Sequence, residues 1–183
     1  MKRALIALLL LAACRGDSVT LLPSSDLPAD VYGSPAPSPS PETLPRRGTV
    51  YLVRAARLHP VQRPLPGTAR TVGEAMLLAL LGAQQDPRIR SAIPSDTRLN
   101  DLEVEGPVAT VDLSAAFERA GSRRSLALRI AQVVYTLTEE PTGILGVRFA
   151  IDGLPRAVIG GVELTVLDRP VNRSDYSQFE PRR

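Results

Sequence analysis

The sequence predicts an α+β domain in which a mostly antiparallel sheet carries two helices packed on one face. Neighbouring strand-like segments are joined by short turns such as Gly106-Pro107 and Asp152-Gly153, which favours antiparallel pairing. Two longer segments repeat apolar residues at helical spacing. Hydrophobic residues make up 44% of the chain but aromatic residues only 4%, so the core of this domain is expected to be aliphatic.

Six segments are rich in β-branched residues or alternate between apolar and polar ones, as strands do. They are residues 49–54, 58–63, 102–105, 108–113, 144–151 and 162–167. Pro60 and Pro64 restrict the second segment to a sheet edge, because proline donates no backbone hydrogen bond. Gly160-Gly161 is predicted to form a hairpin turn before the last strand, and a polar tail is expected after residue 167.

Both predicted helices carry signals at their ends. Thr71 and Glu74 have the spacing of a capping box, and Gly82 marks the end of the first helix. Ser122 or Ser125 can cap the second helix. One apolar stripe then runs over three turns: Leu126, Ile130, Val133 and Leu137. We therefore expect the second helix to bury one face against the sheet.

The first fourteen residues predict export from the cytoplasm. Met1-Lys2-Arg3 is cationic, and the apolar run Ala4–Ala13 is typical of a secretory signal. This run is too short to cross a bilayer, which takes about 20 residues. Leu11-Ala12-Ala13-Cys14 resembles the lipobox of bacterial lipoproteins, in which the cysteine thiol receives the lipid. The alternative is an ordinary signal peptide followed by an incidental cysteine.

The predicted organisation is a signal peptide at 1–13, a lipid-anchored linker at 14–47 and one domain at 48–183. Seven prolines interrupt the linker: Pro23, Pro28, Pro35, Pro37, Pro39, Pro41 and Pro45. Such a segment buries too little apolar area to offset its ordering entropy, so disorder is expected. Removal of Lys2 and Arg3 leaves 20 of the 22 basic residues against 19 acidic ones, a balance that does not favour nucleic-acid binding.

The composition excludes several kinds of chemistry. Cys14 is the only cysteine and His59 the only histidine, so a zinc site of thiolate and imidazole ligands is not available. A Ser-His-Asp arrangement would need His59 with Ser114 and Asp112. Because His59 precedes Pro60 in a proline-interrupted segment, we expect a surface histidine there. No cofactor, metal ligand or catalytic residue is predicted.

Five polar residues have a possible functional role, and three of them, Asp112, Gln132 and Tyr135, are candidate partner contacts. Asp112 either ends a strand and helps to cap the turn that follows, or belongs to a ligand site. Glu139 and Glu140 either form a solvated helix end or a carboxylate pair, although adjacent helical residues point in different directions. Gln132 and Tyr135 flank the apolar stripe and are candidate partner contacts; the alternative for Tyr135 is a core ring with a hydrogen-bonded hydroxyl.

Residues 129–138 and 146–153 resemble the GerMN domain, the sporulation and spore-germination module. The segments 51–53 and 109–114 match its other strands, and the likeness extends over residues 48–178. The resemblance implies a small α/β sandwich similar to the ring-building modules of envelope secretion machines. It also implies a single-domain lipoprotein of actinobacterial type, and it carries over no catalytic residue.

The function expected from these features is non-catalytic binding or scaffolding in the envelope. The protein would be anchored through Cys14 on the extracytoplasmic face of a Gram-positive cytoplasmic membrane, with an envelope protein or peptidoglycan as partner and self-association as a further option. The alternatives are a peptidoglycan-modifying enzyme, its obligate activator, or a sensor partner of a membrane kinase.

Overall fold

The computed structural model describes residues 47–83, 88–119, 121–163, 165–166 and 169–181. The predicted signal peptide and all of the predicted linker except Arg47, including the predicted lipid-attachment residue Cys14, lie outside these ranges. None of the described helices is both long and apolar enough to span a membrane.

Two α-helices and two short 3₁₀ helices are present in the described ranges. Helix α1 spans Val72–Leu81 and helix α2 spans Arg123–Leu137. The 3₁₀ helices are Ala115–Glu118 and Arg173–Phe179. The second of these lies where a polar tail was expected. That expectation was wrong because Tyr176 and Phe179 are buried in the core.

In the part of the chain that the structure describes, ten strands form four sheets. The strands are β1 (Arg47–Arg54), β2 (Arg57–Pro64), β3 (Leu99–Glu105), β4 (Val108–Leu113), β5 (Gly146–Ile151), β6 (Leu154–Arg156), β7 (Val158–Ile159), β8 (Val162–Glu163), β9 (Thr165–Val166) and β10 (Arg169–Pro170). The largest sheet has the order β3-β4-β5-β6. The pairs β1-β2, β7-β8 and β9-β10 form separate two-stranded sheets.

All strand pairs are antiparallel except one, which confirms the predicted α+β class with a mostly antiparallel sheet. The exception is β4-β5, which is parallel with Val111 opposite Phe149. A parallel pair needs a long crossover, and α2 supplies it between these two strands. The predicted final strand is divided into β8 and β9.

One hydrophobic cluster joins these elements. Helix α1 approaches β3 closely at Gly73, where an added Cβ would contact Ile144 at 3.3 Å and Leu102 at 3.7 Å. Two ring pairs reinforce the aliphatic core: Phe117 and Phe149 stack with their centroids 6.1 Å apart, and Tyr51 meets Tyr135 edge-on at 5.4 Å. The core thus ties both helices to the four-stranded sheet.

Both predicted caps are present. Ser122 accepts a hydrogen bond from the Ser125 amide at the start of α2. Thr71 accepts from the Glu74 amide at 3.1 Å at the start of α1. The Glu74 carboxylate, however, accepts from the Arg70 amide at 2.8 Å instead of completing a capping box with Thr71. Its ion pair with the Arg70 guanidinium holds it there.

Candidate functional site

Helix α2 hydrogen-bonds directly to the backbone of β1. The Tyr51 amide donates to Thr136 Oγ1 at 3.0 Å, and Gln132 Nε2 donates to the Tyr51 carbonyl at 2.9 Å. These bonds show that the Tyr51 backbone groups point away from β2. Its partner in the register, Pro60, therefore sacrifices no strand hydrogen bond by lacking an N–H.

Val53 lies on the same edge of β1, the one that faces away from β2. Its amide and carbonyl exchange hydrogen bonds of 2.7 and 3.0 Å with the carbonyl and amide of Arg90. A buried strand edge needs such partners, because an unpaired backbone group in the interior costs about as much as a lost hydrogen bond. This bridge fixes Arg90 beside the hairpin.

Gln132, together with Arg129 of the same helix, also holds the segment that leads from Arg90 to β3. Gln132 Oε1 accepts from the Ala92 amide at 2.7 Å, while Arg129 Nε donates to the Ala92 carbonyl at 2.8 Å. Arg129 Nη1 also donates to the carbonyls of Phe117 and Arg119 at 2.9 and 2.7 Å. Burial lowers the pKa of Arg129. Its role is to join three chain segments.

A second polar cluster lies at the other end of α2. The Tyr51 hydroxyl donates to Glu139 Oε2 at 2.7 Å, and the Arg173 guanidinium forms an ion pair with the same oxygen. Arg173 lies 5.4 Å from the Tyr51 ring centroid and 5.0 Å from the Tyr135 centroid. The Arg173 Nη2 also donates to the Tyr135 carbonyl at 2.9 Å. The 3₁₀ helix Arg173–Phe179 is thereby fixed to α2.

These contacts change how the tyrosines titrate. Burial and the hydrogen bond to Glu139 raise the pKa of Tyr51 to about 12. Burial also raises the pKa of Tyr135 and of Tyr176. All three tyrosines are therefore neutral at physiological pH, and none is available as a base.

The structure places two of the three candidate contacts inside the protein. Gln132 is fully buried and Tyr135 is 3% exposed. The Tyr135 hydroxyl donates to the Arg173 carbonyl at 3.3 Å, as in the core alternative. Both side chains are engaged internally and neither offers a surface contact. His59, expected at the surface, is half-buried on β2.

Asp112 is half-buried and has a structural partner. Both of its carboxylate oxygens accept from the Gly153 amide, at 3.0 and 3.1 Å. It does not cap the 3₁₀ helix that follows, and neither does Ser114. The Asp152 carboxylate instead accepts from the Ala115 amide at 3.3 Å. The two aspartates therefore stabilise the turn and the 3₁₀ helix beside it.

The β1-β2 turn has a strained backbone. Its two central residues, Ala55 and Ala56, have φ angles of 49° and 58°. Because Arg54 pairs with Arg57, this is a two-residue hairpin loop, and positive φ at both positions is typical of a type I′ turn. Such turns usually contain Asn-Gly, since a β-carbon costs about 1–2 kcal/mol in this conformation.

A cavity of about 650 Å³ lies between this turn, the segment around Arg90 and helix α2. Arg88, Arg90, Ser91 and Ser125 supply much of its polar lining, and Ala55 forms part of its wall. A neighbouring cavity of about 260 Å³ shares Ala55 and is lined by Arg54, Arg57, Leu58 and His59. The strained turn separates the two cavities.

A third cavity, of about 570 Å³, also lies beside the first turns of α2 and is lined by Arg123, Arg124 and the rings of Tyr176 and Phe179. It neighbours the cavity of about 260 Å³, because Arg57 Nη1 donates to the carbonyl of Gln178, a residue of its lining, at 3.4 Å. Six arginines line these three neighbouring cavities, and we name them the arginine arc: Arg54, Arg57, Arg88, Arg90, Arg123 and Arg124.

Few acidic residues line the cavities of the arginine arc. Among the described residues that line the three cavities, the acidic ones are Glu163 and Asp175. Asp175 is neutralised by an ion pair with Arg169, whose hydrogen bond lowers the pKa of the Asp175 carboxyl. In the described part of the chain, Arg54, Arg90 and Arg123 form no ion pair.

The arrangement suits recognition of an anionic group. Guanidinium groups bind carboxylate and phosphate through paired, planar hydrogen bonds. Within the described ranges, no group of three or more His, Cys, Asp or Glu residues could hold a metal ion. Sequence reasoning missed the arc because its members are scattered along the chain; the adjacent Arg123-Arg124 at the start of a helix was the signal that could have indicated it.

The family model named Germane, described as sporulation and spore germination, matches residues 47–157. The tandem GerMN domains of the sporulation protein GerM from Bacillus subtilis are 21% identical, with a TM-score of 0.57. That match covers 70% of this chain and 46% of the tandem structure, so the chain spans about half of that protein.

Two further structures are matched over nearly their whole length. The first GerMN domain of GerM is 21% identical, with a TM-score of 0.56, and 98% of it is covered by 70% of this chain. A putative lipoprotein from Clostridium perfringens is 16% identical, with a TM-score of 0.50 and coverage of 73% of this chain and 94% of that one. Among curated proteins, none matches. Since the family model covers more than half of the sequence, the chain belongs to the GerMN family.

Proposed function

We propose that the protein is a lipid-anchored, extracytoplasmic and non-catalytic binding module of the cell envelope. A diacylglyceryl group on Cys14 would hold it at the outer face of the cytoplasmic membrane. The domain would bind an envelope protein or peptidoglycan. The supporting sequence feature is the apolar run Ala4–Ala13 followed by Cys14.

The observation that carries the binding function is the arginine arc. The prominent polar side chains elsewhere serve the fold: Gln132 and Thr136 hold β1, Arg173 and Glu139 hold the C-terminal 3₁₀ helix, and Asp112 holds a turn. In contrast, Arg54, Arg90 and Arg123 are exposed and lie on cavity walls. Clefts lined by one sign of charge focus the electric field and raise the local concentration of an oppositely charged partner.

The anchor is tested by metabolic labelling with radioactive palmitate. The wild-type protein should take up label and fractionate with membranes, whereas Cys14→Ala should do neither. Ser18→Ala, a change of similar size a few residues away, is the matched control and should label normally. Equal labelling of wild type and Cys14→Ala would refute anchoring through this thiol.

The binding function is tested by cross-linking in intact cells, followed by purification of the protein with whatever it has captured. A specific envelope protein or peptidoglycan fragment supports the proposal. A purified protein that cleaves or modifies peptidoglycan would instead establish the enzymatic alternative. Sedimentation of the purified protein over a concentration series separates self-association from binding to a different partner.

A further inference from the structure

We infer that the arginine arc binds a linear envelope polymer that carries regularly spaced phosphate groups. This inference rests on the proposed binding function and names the chemical class of its partner. The arginines of the arc are distributed over three neighbouring cavities, so its cationic groups do not converge on one point. A polymer with repeated charges can contact all three cavities at once.

The charge balance of this surface favours a polyanion. Five of the six arginines are exposed, and Arg57 is half-buried. Arg124 packs over the Phe179 ring at 5.5 Å, which orients its guanidinium without neutralising it. A polymer that neutralises several such cations releases its own counterions, so its affinity falls steeply with salt concentration.

The donors of the arc suit phosphate better than carboxylate. Ser91 Oγ accepts from the Ile93 amide at 3.1 Å, which leaves its own proton available to a ligand in the cavity that Arg88 and Arg90 also line. Donors then approach from different walls of one cavity. A tetrahedral phosphate presents oxygens in several directions, whereas one planar guanidinium can satisfy both oxygens of a carboxylate.

The test is fluorescence anisotropy of labelled inorganic polyphosphate with the full-length protein purified in detergent. The double variant Arg90→Gln/Arg123→Gln removes one charge from each of two cavities of the arc. It should weaken binding by about tenfold or more, and should lower the slope of log Kd against log salt by about 2, or 1 for each lost phosphate contact.

The matched control is Arg98→Gln/Arg148→Gln, which removes the same charge from two exposed arginines outside the arc. It should change the affinity by less than about twofold, and thermal unfolding should show both double variants folded. Equal weakening in the two double variants would overturn the inference, because net charge alone would then explain binding. Binding of labelled poly-L-glutamate as tight as that of polyphosphate would also overturn it.

Vesicles containing phosphatidylglycerol distinguish a membrane surface from a polymer. If the vesicles bind more tightly than polyphosphate and compete for the same arginines, the partner is the lipid headgroup and the inference is wrong. Failure of the inference about the polymer can be distinguished from failure of the proposed binding function. If polyphosphate fails to bind while cross-linking captures an envelope protein, only the inference about the polymer is lost.

Discussion

At the scale of single residues, the β1-β2 turn gives the first prediction. Ala55 and Ala56 hold positive φ angles that favour asparagine and glycine. The double substitution Ala55→Asn/Ala56→Gly should therefore raise the free energy of unfolding, by about 1–2 kcal/mol, because it relieves two left-handed residues that bear a methyl group. Urea denaturation measures the change.

A glycine substitution at a different backbone conformation provides the control. Ala79→Gly in the middle of α1 should lower the free energy of unfolding by about 1 kcal/mol, because helical glycine is less favourable than alanine. If the double substitution in the turn were also destabilising, its backbone would not be strained as described. Glycine that stabilises the turn but destabilises the helix would show that the backbone conformation, and not the loss of a methyl group, decides the effect.

The raised pKa of Tyr51 predicts that the protein loses stability at alkaline pH. Its folded pKa of about 12 lies above the value of about 10 in an unfolded chain, so folding favours the neutral hydroxyl. This contribution is complete below about pH 10 and is lost as the pH rises towards 12. Ionisation would place a phenolate beside the Glu139 carboxylate.

The comparison for this prediction is Tyr51→Phe, which cannot ionise. Urea unfolding at pH 8 and at pH 11 should show a smaller alkaline loss in the variant than in the wild type. The difference should be of the order of 1–2 kcal/mol. Tyr135 and Tyr176 have raised pKa values too, so part of the alkaline loss should remain. Identical losses in both proteins would contradict the role assigned to the Tyr51 hydroxyl.

At the scale of secondary-structure elements, the contact between α2 and β1 is the next prediction. Thr136→Val keeps the shape of the side chain but removes the acceptor of the buried Tyr51 amide. An unsatisfied buried donor costs about 1–3 kcal/mol, so the free energy of unfolding should fall by that amount. Thr110→Val on β4 is the same chemical change at a half-buried strand position and should stay within about 0.5 kcal/mol.

The elements themselves were largely predictable from the sequence because their signals are local. Thr71 and Ser122 cap their helices where expected, and the predicted strand 108–113 coincides with β4. The parallel pairing of β4 with β5 depends on the path of α2 between them, which no local pattern encodes. The 3₁₀ helix Arg173–Phe179 was missed because alternating polar residues conceal two buried rings.

The clusters were not predictable, because their members meet only through the fold. Tyr51 and Glu139 are 88 residues apart, and Arg173 is a further 34 residues along the chain. The sequence showed Glu139 beside Glu140 at a helix end, which is typical of a solvated pair. Only the position of β1 along α2 brings an aromatic hydroxyl and a guanidinium to that carboxylate. The arginine arc was hidden for the same reason.

At the scale of the whole molecule, the packing sets the boundary of the folding unit. The family match ends at residue 157, but five buried side chains beyond it belong to the same core. They are Ile159, Val162, Val171, Tyr176 and Phe179, with exposures between 0% and 7%. At about 1.5–3 kcal/mol for each buried side chain, their combined contribution rivals the 5–15 kcal/mol that stabilises a typical domain.

A chain that stops after Ala157 should therefore lose its cooperative thermal unfolding transition, measured by circular dichroism. A chain that stops after Pro181 keeps all five side chains and the Arg173 ion pair, so its transition should match that of the full-length protein. Truncation after Ala157 also removes Val171, which exchanges backbone hydrogen bonds with Val147 of β5. A cooperative transition at the full-length temperature in the shorter chain would mean that the segment after residue 157 only rests on a domain that is already complete.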